Sequence, residues 1–517
     1  MRRTYELLLV AFIYLCALWL WTLPFQQNQM PYGEPDATSH FVLGDAQAQG
    51  DKPIVRLPPF IDVRYGLDNA FVPHTLWYHP PYHMNFALMQ VLGGSRFVPI
   101  YLFNAMLCTV MVLVTYFVMR KLFGFIPALI SAVLLMFSGR DIMIYLWGQW
   151  PERISYAMVP LVLYCFYKYV DGLLQDKPKA LYLYLAFVLL GVNFYLHPVG
   201  LYHTLLALMI YGGVILAWKR RLPFEWKHLG IGVAIFVAMA AIFPLQTGSV
   251  LISMATEEGG KDAIGQIGRL FQWYPDPARF TGAVPPTYFS YAVAHGIWTL
   301  PFLLLGIIFL FIRRRSKDML LLSWLLSLYI MIHLDIIGKG RIHRSLAAES
   351  FIFYPLIALG FAFLLSLVKL PKRMSLPVKA VAVAVFLGVI IFTSGSQAYA
   401  SLKDAYPSVS RLTTAQYEAA SWMQQNLPEN ALIEDVGTLT LPKKRFIQFI
   451  SQRHIVKING LDENMSGNHV LMDYSDIVLL GPGYQEQLAA MQAIEQQLQN
   501  SSRPLYDKNY LRVYRLG

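Results

Sequence analysis

The segment "PYGEPDATSHF" at residues 31–41 brings two carboxylates and an imidazole together just after a hydrophobic stretch. Glu34 and Asp36 flank a proline, and His40 lies one helical turn beyond Asp36, which puts both on the same face of a helix. Such a cluster fits three roles: a general base, a ligand of a divalent cation, or a hydrogen-bond partner for a sugar. The spacing leaves all three open.

A structural role also fits Asp36. Pro35 disfavours helical geometry at Glu34 and therefore stops a helix that continues from the preceding stretch. A new helix from Ala37 would place Asp36 at the N-cap, where its carboxylate accepts backbone N–H groups and adds about 1 kcal/mol of stability. Capping requires one small polar residue, however, and does not account for His40.

The composition predicts a membrane protein with many spans. Of the 517 residues, 56% are hydrophobic and 14% are charged, far from the composition of soluble proteins. The three cysteines fall inside apolar runs, which argues against a disulfide framework and a Cys-x-x-Cys metal site. Runs long enough to cross the hydrocarbon core number roughly eleven. They lie near residues 6–24, 98–119, 124–142, 154–170, 180–196, 199–217, 228–246, 295–312, 319–336, 346–368 and 378–394.

Basic residues predict the orientation of these spans. Every second connection is rich in Lys and Arg, as in "RKLFG", "KRRLPFEWK" and "RRRSKD", and the positive-inside rule makes these connections cytoplasmic. We expect a retained first span, a cytoplasmic N-terminus and an extracytoplasmic C-terminal part. The net charge of +11 then reflects topology and not binding of nucleic acid, and no glycine-rich phosphate loop indicates a nucleotide.

The same orientation gathers the distinctive polar segments on the outer face and predicts a functional site there. The predicted outer segments are the long first loop at 25–97, the second loop at 138–153, the turn at 197–200, the loop at 247–294 and the basic segment at 338–344.

Further polar residues on this face are candidates for binding substrate. His79 and His83 lie among tryptophan and tyrosine residues, a combination that suits the faces of sugars and equally suits an interfacial aromatic belt. Asp141 and Glu152 lie in the second loop and could bind substrate or complete a metal site. No metal site follows from spacing, so a requirement for Mg²⁺ or Mn²⁺ stays open.

The last part of the chain has a different pattern. Helical "TTAQYEAASWMQQN" and "YQEQLAAMQAIEQQLQN" alternate with strand-like "ALIEDVG", "HIVKI", "SDIVLLG" and "YLRVYRL". The predicted fold is an all-α polytopic membrane domain at 1–400, which includes the first outer loop at 25–97, followed by a small extracytoplasmic α/β domain at 401–517. For the second domain we expect a folding or docking role without chemistry.

Taken in order, several segments resemble the integral-membrane glycosyltransferases of the GT-C fold, which use polyprenyl-phosphate-linked donors and include oligosaccharyltransferases and protein mannosyltransferases. "PDATSHF" resembles the acidic motif after their first span, and "YHPPYHMNFALMQVLGG" is similar to the stretch that follows it. "GRDIMIYLWGQWPERIS" resembles their second outer loop, and "GRIHRSLAAESFIFYPLIALG" their arginine-rich start of a late span. The ordered set covers most of the chain.

The resemblance implies a reaction. An acceptor hydroxyl or amide would attack the anomeric carbon of the lipid-linked sugar on the outer face and displace polyprenyl phosphate or diphosphate. Asp36 would be the base or would position the acceptor, with Glu34 and His40 beside it. The donor phosphate requires cations. The resemblance offers Arg341, His343 and Arg344, with Arg140 and Arg153 as second choices.

Departures from the family pattern leave the acceptor open between a glycan, a lipid and a protein. A "WWDYG"-type motif is absent, which speaks against protein N-glycosylation, and Asp141 stands alone where metal-dependent members have a D-x-D pair. Two other classes remain as alternatives. One is a transporter or flippase of a lipid-linked or polar substrate, although no internal repeat at half-length supports it. The other is a catalytically silent assembly protein.

Overall fold

The structure is a computed structural model of the chain. It describes residues 3–26, 28–49, 79–248, 267–272, 286–334, 342–368, 371–403, 411–436, 439–457, 468–475 and 484–516. Of the candidate residues named above, Arg341 lies outside this set. The greater part of the first outer loop, residues 50–78, also lies outside it.

The apolar runs form a bundle of helices, and each predicted span overlaps one of them. Their bounds are α1 Arg3–Gln26, α2 Pro35–Gln49, α3 Pro80–Gly93, α4 Val98–Leu122, α5 Phe125–Met136, α6 Gly139–Trp147, α7 Trp150–Leu174, α8 Ala180–Leu196, α9 Pro198–Lys219, α10 Trp226–Ala240, α11 Tyr291–His295, α12 Leu300–Arg313, α13 Ser316–His333, α14 Ile342–Leu346, α15 Ser350–Leu367, α16 Lys372–Ile390 and α17 Ser396–Lys403. The described residues of this part also include the 3₁₀ turns Ile267–Phe271, Pro286–Phe289 and Ile297–Thr299 and the π-helical turn Ile391–Gly395.

Within the described residues, six stretches are long and apolar enough to cross a membrane by length and composition. They are Arg3–Gln26, Val98–Leu122, Trp150–Leu174, Pro198–Lys219, His343–Leu367 and Pro377–Lys403. The pair α5 and α6, bent by 45°, is a further candidate, and Ala180–Leu196, Trp226–Ala240 and Ile297–Arg313 are shorter apolar helices. The chain thus has several candidate spans, and the count of about eleven stays a prediction.

Two local expectations are wrong. Helix α2 begins at Pro35, so Asp36 lies inside its first turn and is not the N-cap. Proline favours the first helical position because its missing N–H has no partner to lose there. The second outer loop is also mostly helical, because Ser138 caps α6 through the Asp141 N–H and α7 already begins at Trp150.

The described residues of the C-terminal part form a five-stranded sheet with helices packed on it, and most of the predicted strand "SDIVLLG", at residues 476–481, lies outside them. Its elements are α18 Thr414–Asn426, β1 Leu432–Asp435, α19 Leu441–Ser451, β2 His454–Lys457, β3 His469–Asp473, α20 Tyr484–Ser501, β4 Tyr506–Lys508 and β5 Leu511–Arg515. The strand order is β2-β1-β3-β5-β4, parallel from β2 to β3 and antiparallel beyond. The small α/β unit is therefore confirmed, and its boundary at 401 stays a prediction.

Candidate active site

A small polar cavity lies where α2, the start of α7, the α8–α9 junction and α14 meet. Its volume of about 10 Å³ is close to what one water molecule needs. It is lined by Asp36, His40, Gln149, Pro151, Glu152, His197 and Arg344. Segments that are far apart in the sequence therefore bring acidic, basic and imidazole groups together at one end of the helical bundle.

Asp36 is held in this cavity by Gln149, whose side-chain N–H donates to Asp36 Oδ2 at 3.0 Å. The contact depends on a close approach between α2 and the turn before α7. Gly148 has a φ of +89°, and a Cβ at this position would lie 2.3 Å from the backbone nitrogen of Ala37. Glycine allows both the left-handed backbone and the short distance, and it thereby brings Gln149 to the carboxylate.

His40 is paired with His83 on α3. The His40 Nδ1 and His83 Nε2 atoms are 2.9 Å apart, both side chains are buried, and the two rings stack with their centroids 5.2 Å apart. One imidazole donates and the other accepts, so this bond fixes the orientation of both rings. Two histidines that the sequence assigned to different roles thus form one unit beside the cavity.

Arg344 and Glu152 form an ion pair within the cavity lining. The Arg344 Nη1 group donates to Glu152 Oε2 at 2.8 Å, and the same group lies 3.3 Å from His197 Nε2. Tyr156 donates its hydroxyl to the Arg344 carbonyl at 2.6 Å, which anchors the backbone of α14. The Glu152 side chain is 2% exposed, whereas that of Arg344 is 23% exposed, so the cation can reach a ligand at the surface.

Arg140 lies in a second buried cluster outside the cavity lining. It pairs with Glu349 and also donates to the Tyr288 carbonyl at 2.8 Å. His295 Nε2 lies 3.1 Å from the same Glu349 oxygen. Tyr288 in turn donates its hydroxyl to the His343 carbonyl at 2.7 Å. Arg140 therefore supports the segment that carries His343 and the cavity arginine.

Arg153 and Asp141 form a third unit. Arg153 Nη1 is 3.1 Å from Asp141 Oδ1, both side chains are fully buried, and the guanidinium lies 4.3 Å from the centre of the Phe351 ring. Neither residue is among those that line the polar cavity. Of the candidates in the second loop, Glu152 lines the polar cavity, whereas Arg140, Asp141 and Arg153 lie outside its lining.

The remaining candidates lie around the cavity. Glu34 accepts the Ala37 N–H with its backbone carbonyl at 3.0 Å and so closes the first turn of α2. His79 precedes α3, and its Nε2 lies 3.1 Å from the Thr247 hydroxyl. Burial lowers the pKa of His79 to about 4. Of the phosphate-binding candidates within the described residues, the cavity lining includes only Arg344.

Gln149 and His197 were missed at the level of the sequence. Both belong to short segments that the predicted topology places on the outer face, the second loop and the turn at 197–200. One is a glutamine and the other a single histidine outside the acidic and basic segments, so a search for carboxylates and basic clusters passes over them. Their position at the ends of predicted spans, on the same predicted face as Asp36, would have been a stronger signal.

An apolar groove of about 600 Å³ lies close to these clusters, between α9, α12, α13 and α15. Leucine, isoleucine and phenylalanine side chains form most of its wall, and Glu349 is one of its few polar lining residues. Glu349 also pairs with Arg140, and it lies five residues after Arg344, which lines the polar cavity.

The described residues contain no group of three or more His, Cys, Asp or Glu side chains placed to hold a metal ion. Asp36, Glu152 and His197 share the cavity lining, but they do not form such a group. A requirement for a divalent cation therefore stays open.

Comparison with known proteins finds one family match over part of the chain and several solved structures with a similar fold. Residues 78–243 match the family described as dolichyl-phosphate-mannose-protein mannosyltransferase. The oligosaccharyltransferase of Archaeoglobus fulgidus in its apo form aligns with a TM-score of 0.62 and 14% identity over 94% of this chain and 71% of that chain. No curated protein matches the chain in sequence.

Two further solved structures align over nearly the whole chain. ArnT from Cupriavidus metallidurans bound to undecaprenyl phosphate has a TM-score of 0.59 and 13% identity, over 99% of this chain and 98% of that chain. Arabinofuranosyltransferase AftD from Mycobacteria has a TM-score of 0.58 and 14% identity, over 100% of this chain and 40% of that chain. At these identities the likeness establishes a shared fold.

Proposed function

We propose that this chain, whose fold is that of the GT-C membrane glycosyltransferases, transfers a sugar from a polyprenyl-phosphate or polyprenyl-diphosphate donor to an acceptor on the extracytoplasmic face. The observation that carries the proposal is the meeting of Asp36, Glu152 and Arg344 around one cavity. Transfer requires a carboxylate that takes a proton from the acceptor and a cation that binds the leaving phosphate. The family match at 78–243 and the alignment with ArnT support the same reading.

Asp36 is the proposed base. As the acceptor oxygen or nitrogen attacks the anomeric carbon, the bond from that carbon to the phosphate oxygen breaks, and its electron pair leaves with the polyprenyl phosphate. The proton of the acceptor passes to the Asp36 carboxylate. Gln149 orients this carboxylate through Oδ2, and His40 and Glu34 hold the turn and the helix that carry it.

Arg344 is the proposed phosphate ligand. Its guanidinium presents several N–H groups in a planar fork that suits phosphate oxygens, and its partial exposure leaves it accessible at the cavity. We place the polyprenyl chain in the apolar groove that ends at Glu349. ArnT in its aligned structure carries undecaprenyl phosphate, which supports a donor of this kind.

The other candidates keep proposed roles of different kinds. His343 and Arg341 remain candidates for the donor phosphate, and His79 and His83 for the sugar or acceptor. The buried pairs of Arg140 and Arg153 with carboxylates favour a role in positioning. Asp141 and Glu152 remain candidates for substrate, with a glycan, lipid or protein acceptor and with Mg²⁺ or Mn²⁺ left open. The two domains at 1–400 and 401–517 and the outward orientation of the site are part of the proposal.

The test is transfer from a panel of radiolabelled polyprenyl-phosphate and polyprenyl-diphosphate sugars by the full chain in lipid nanodiscs, with and without EDTA. Asp36→Asn keeps the size of the side chain and an acceptor for Gln149, and we expect it to lower kcat by about 100-fold or more. Asp176→Asn is the matched control, because the Asp176 side chain is 79% exposed and pairs with Arg221 at 2.7 Å outside the cavity lining.

Transfer by Asp36→Asn at the wild-type rate would overturn the catalytic assignment. A wild-type chain that transfers none of these sugars, but moves a fluorescent lipid-linked sugar across a vesicle membrane, would replace the proposal by the transporter alternative. Arg344→Gln should separately weaken binding of undecaprenyl phosphate, measured by quenching of intrinsic tryptophan fluorescence. Unchanged binding would remove Arg344 from the donor site.

A further inference from the structure

The C-terminal domain contacts the segment that directly precedes α2, the helix that carries Asp36. Arg411 donates from Nη2 to the Pro24 carbonyl and from Nη1 to the Asn28 carbonyl, each at 2.5 Å. Its guanidinium also lies 4.7 Å from the centre of the Tyr32 ring, and the two residues form an antiparallel bridge. Arg411 is 5% exposed, so these contacts are shielded from water. One buried arginine thus ties the C-terminal part to the connection between α1 and α2.

The connection is fixed from the opposite side by the membrane domain. Tyr101 on α4 donates its hydroxyl to the Tyr32 carbonyl at 2.6 Å and accepts the Tyr32 N–H at 2.7 Å. The two rings stack with centroids 4.3 Å apart. Tyr32 is therefore held between Arg411 and Tyr101, and α2 begins only three residues later, at Pro35.

A second contact joins the C-terminal domain to α2 itself. Phe41 is fully buried five residues beyond Asp36, and its ring lies 6.0 Å from that of Phe446 and 6.5 Å from that of Phe449, both on α19. On its other side Phe41 meets Trp150 at 5.9 Å, next to the cavity lining. The helix that carries Asp36 and His40 is thus packed between α19 and the start of α7.

Arg96 extends this second contact. It binds the Asp45 carboxylate on α2 through two N–H groups, at 2.7 and 3.2 Å, while its guanidinium lies 4.3 Å from the centre of the Phe449 ring. Phe449 therefore packs against Phe41 on α2 and against the Arg96–Asp45 ion pair near the C-terminal end of α2. Loss of the Phe449 ring would loosen both.

We propose that the C-terminal domain positions the Asp36 helix for transfer and that Arg411 and Phe449 are the positioning residues. They touch neither the cavity nor the groove, and they act by fixing α2 at its start and along its buried face. The catalytic consequence rests on the proposed function, whereas the positioning itself can be measured without any activity. The C-terminal domain then contributes to transfer by holding α2 in position, and its role goes beyond docking.

The activity-independent test is hydrogen exchange of the backbone amides of residues 35–49 in the full chain in nanodiscs. We expect Arg411→Gln and Phe449→Ala to speed exchange in this helix by roughly tenfold or more, because exchange reports the free energy of local opening. Arg512→Gln is the matched control. This arginine lies on β5 and pairs with Glu495 on α20 at 2.7 Å inside the same domain, and its loss should leave α2 unchanged.

The second readout is kinetic. Displacement of a reacting group by about 1 Å can cost 100-fold, so both variants should lower kcat by roughly tenfold or more. The KM for the lipid donor should not change, because the variants leave Arg344 and the groove intact. Phe449→Leu keeps an apolar side chain against Phe41 and should restore most of kcat, which also covers the case in which the alanine variant folds poorly.

Unchanged exchange in residues 35–49 for both variants would overturn the proposal, whatever the activity. Faster exchange with wild-type kcat would overturn its catalytic consequence. A rise in KM with constant kcat would do the same, because it would place the effect on donor binding. If the wild-type chain transfers no sugar at all, the proposed function fails, and the exchange measurement alone still decides whether the domain holds α2.

Discussion

Separate substitution of Arg344 and Glu152 is expected to destabilise the protein by unequal amounts. Arg344→Gln leaves the Glu152 carboxylate, 2% exposed, without its guanidinium partner. Leaving a buried charge unpaired costs about 3 kcal/mol. Glu152→Gln leaves a guanidinium that is 23% exposed and reaches water, so its cost should be about 1 kcal/mol. The double variant removes both charges and should cost less than Arg344→Gln alone, which gives a coupling of about 2 kcal/mol.

The assay is thermal unfolding of the four forms in one detergent, followed by tryptophan fluorescence, with unfolding by denaturant to convert the differences to free energy. The control is Arg221→Gln, whose ion pair with Asp176 has side chains 43% and 79% exposed and should contribute less than 1 kcal/mol. A Tm for Arg344→Gln as high as that for Glu152→Gln would refute the reasoning. Additive losses in the double variant would refute it as well.

Three further predictions concern packing, site geometry and pH. Gly306→Ala should lower the Tm, because a Cβ there would lie 2.0 Å from the Leu356 carbonyl oxygen. The control Gly388→Ala, where a Cβ would have nothing within 4 Å, should leave the Tm unchanged or raise it. Equal Tm values for the two variants would contradict the tight crossing of α12 and α15. Gly148→Ala should abolish transfer while the protein still folds, since the new Cβ would collide with the first turn of α2, and wild-type transfer would disprove that contact. The Tm should fall as the pH drops from 6.5 to about 4, because the unfolded chain gains a proton at His79 that the buried imidazole does not take up. His79→Gln should weaken this pH dependence of the Tm. An identical pH profile for the variant would exclude His79 as its cause.

Much of the fold could be predicted because hydropathy is a local property of the chain. Apolar runs identified the helices, and alternating patterns at the end of the chain identified the strands at 432–435, 454–457 and 511–515. Rules that consider only neighbouring residues failed to predict local structure at two places. Pro35 took the first helical position and displaced Asp36 from the cap, and the second outer loop continued as helix because Ser138 caps it.

The site could be predicted only in part. The sequence selected Asp36, His40, Glu152 and Arg344 as candidates, and the structure brings all four to one cavity, although their roles stay proposals. It also offered Arg140 as a second choice for the phosphate, because an arginine in a loop carries the same charge wherever it lies. Burial against Glu349 distinguishes Arg140 from Arg344, and that burial depends on how distant helices pack.

The sequence by itself determined that the chain forms apolar helices followed by a small α/β domain, and it indicated that the polar segments share one face. These properties follow from the order of residue types along the chain. The tertiary structure decided that Gln149 meets Asp36, that Arg344 meets Glu152, and that the C-terminal domain packs on α2. Each of these contacts joins residues far apart in sequence, and distances of this kind are fixed only when the helices pack together.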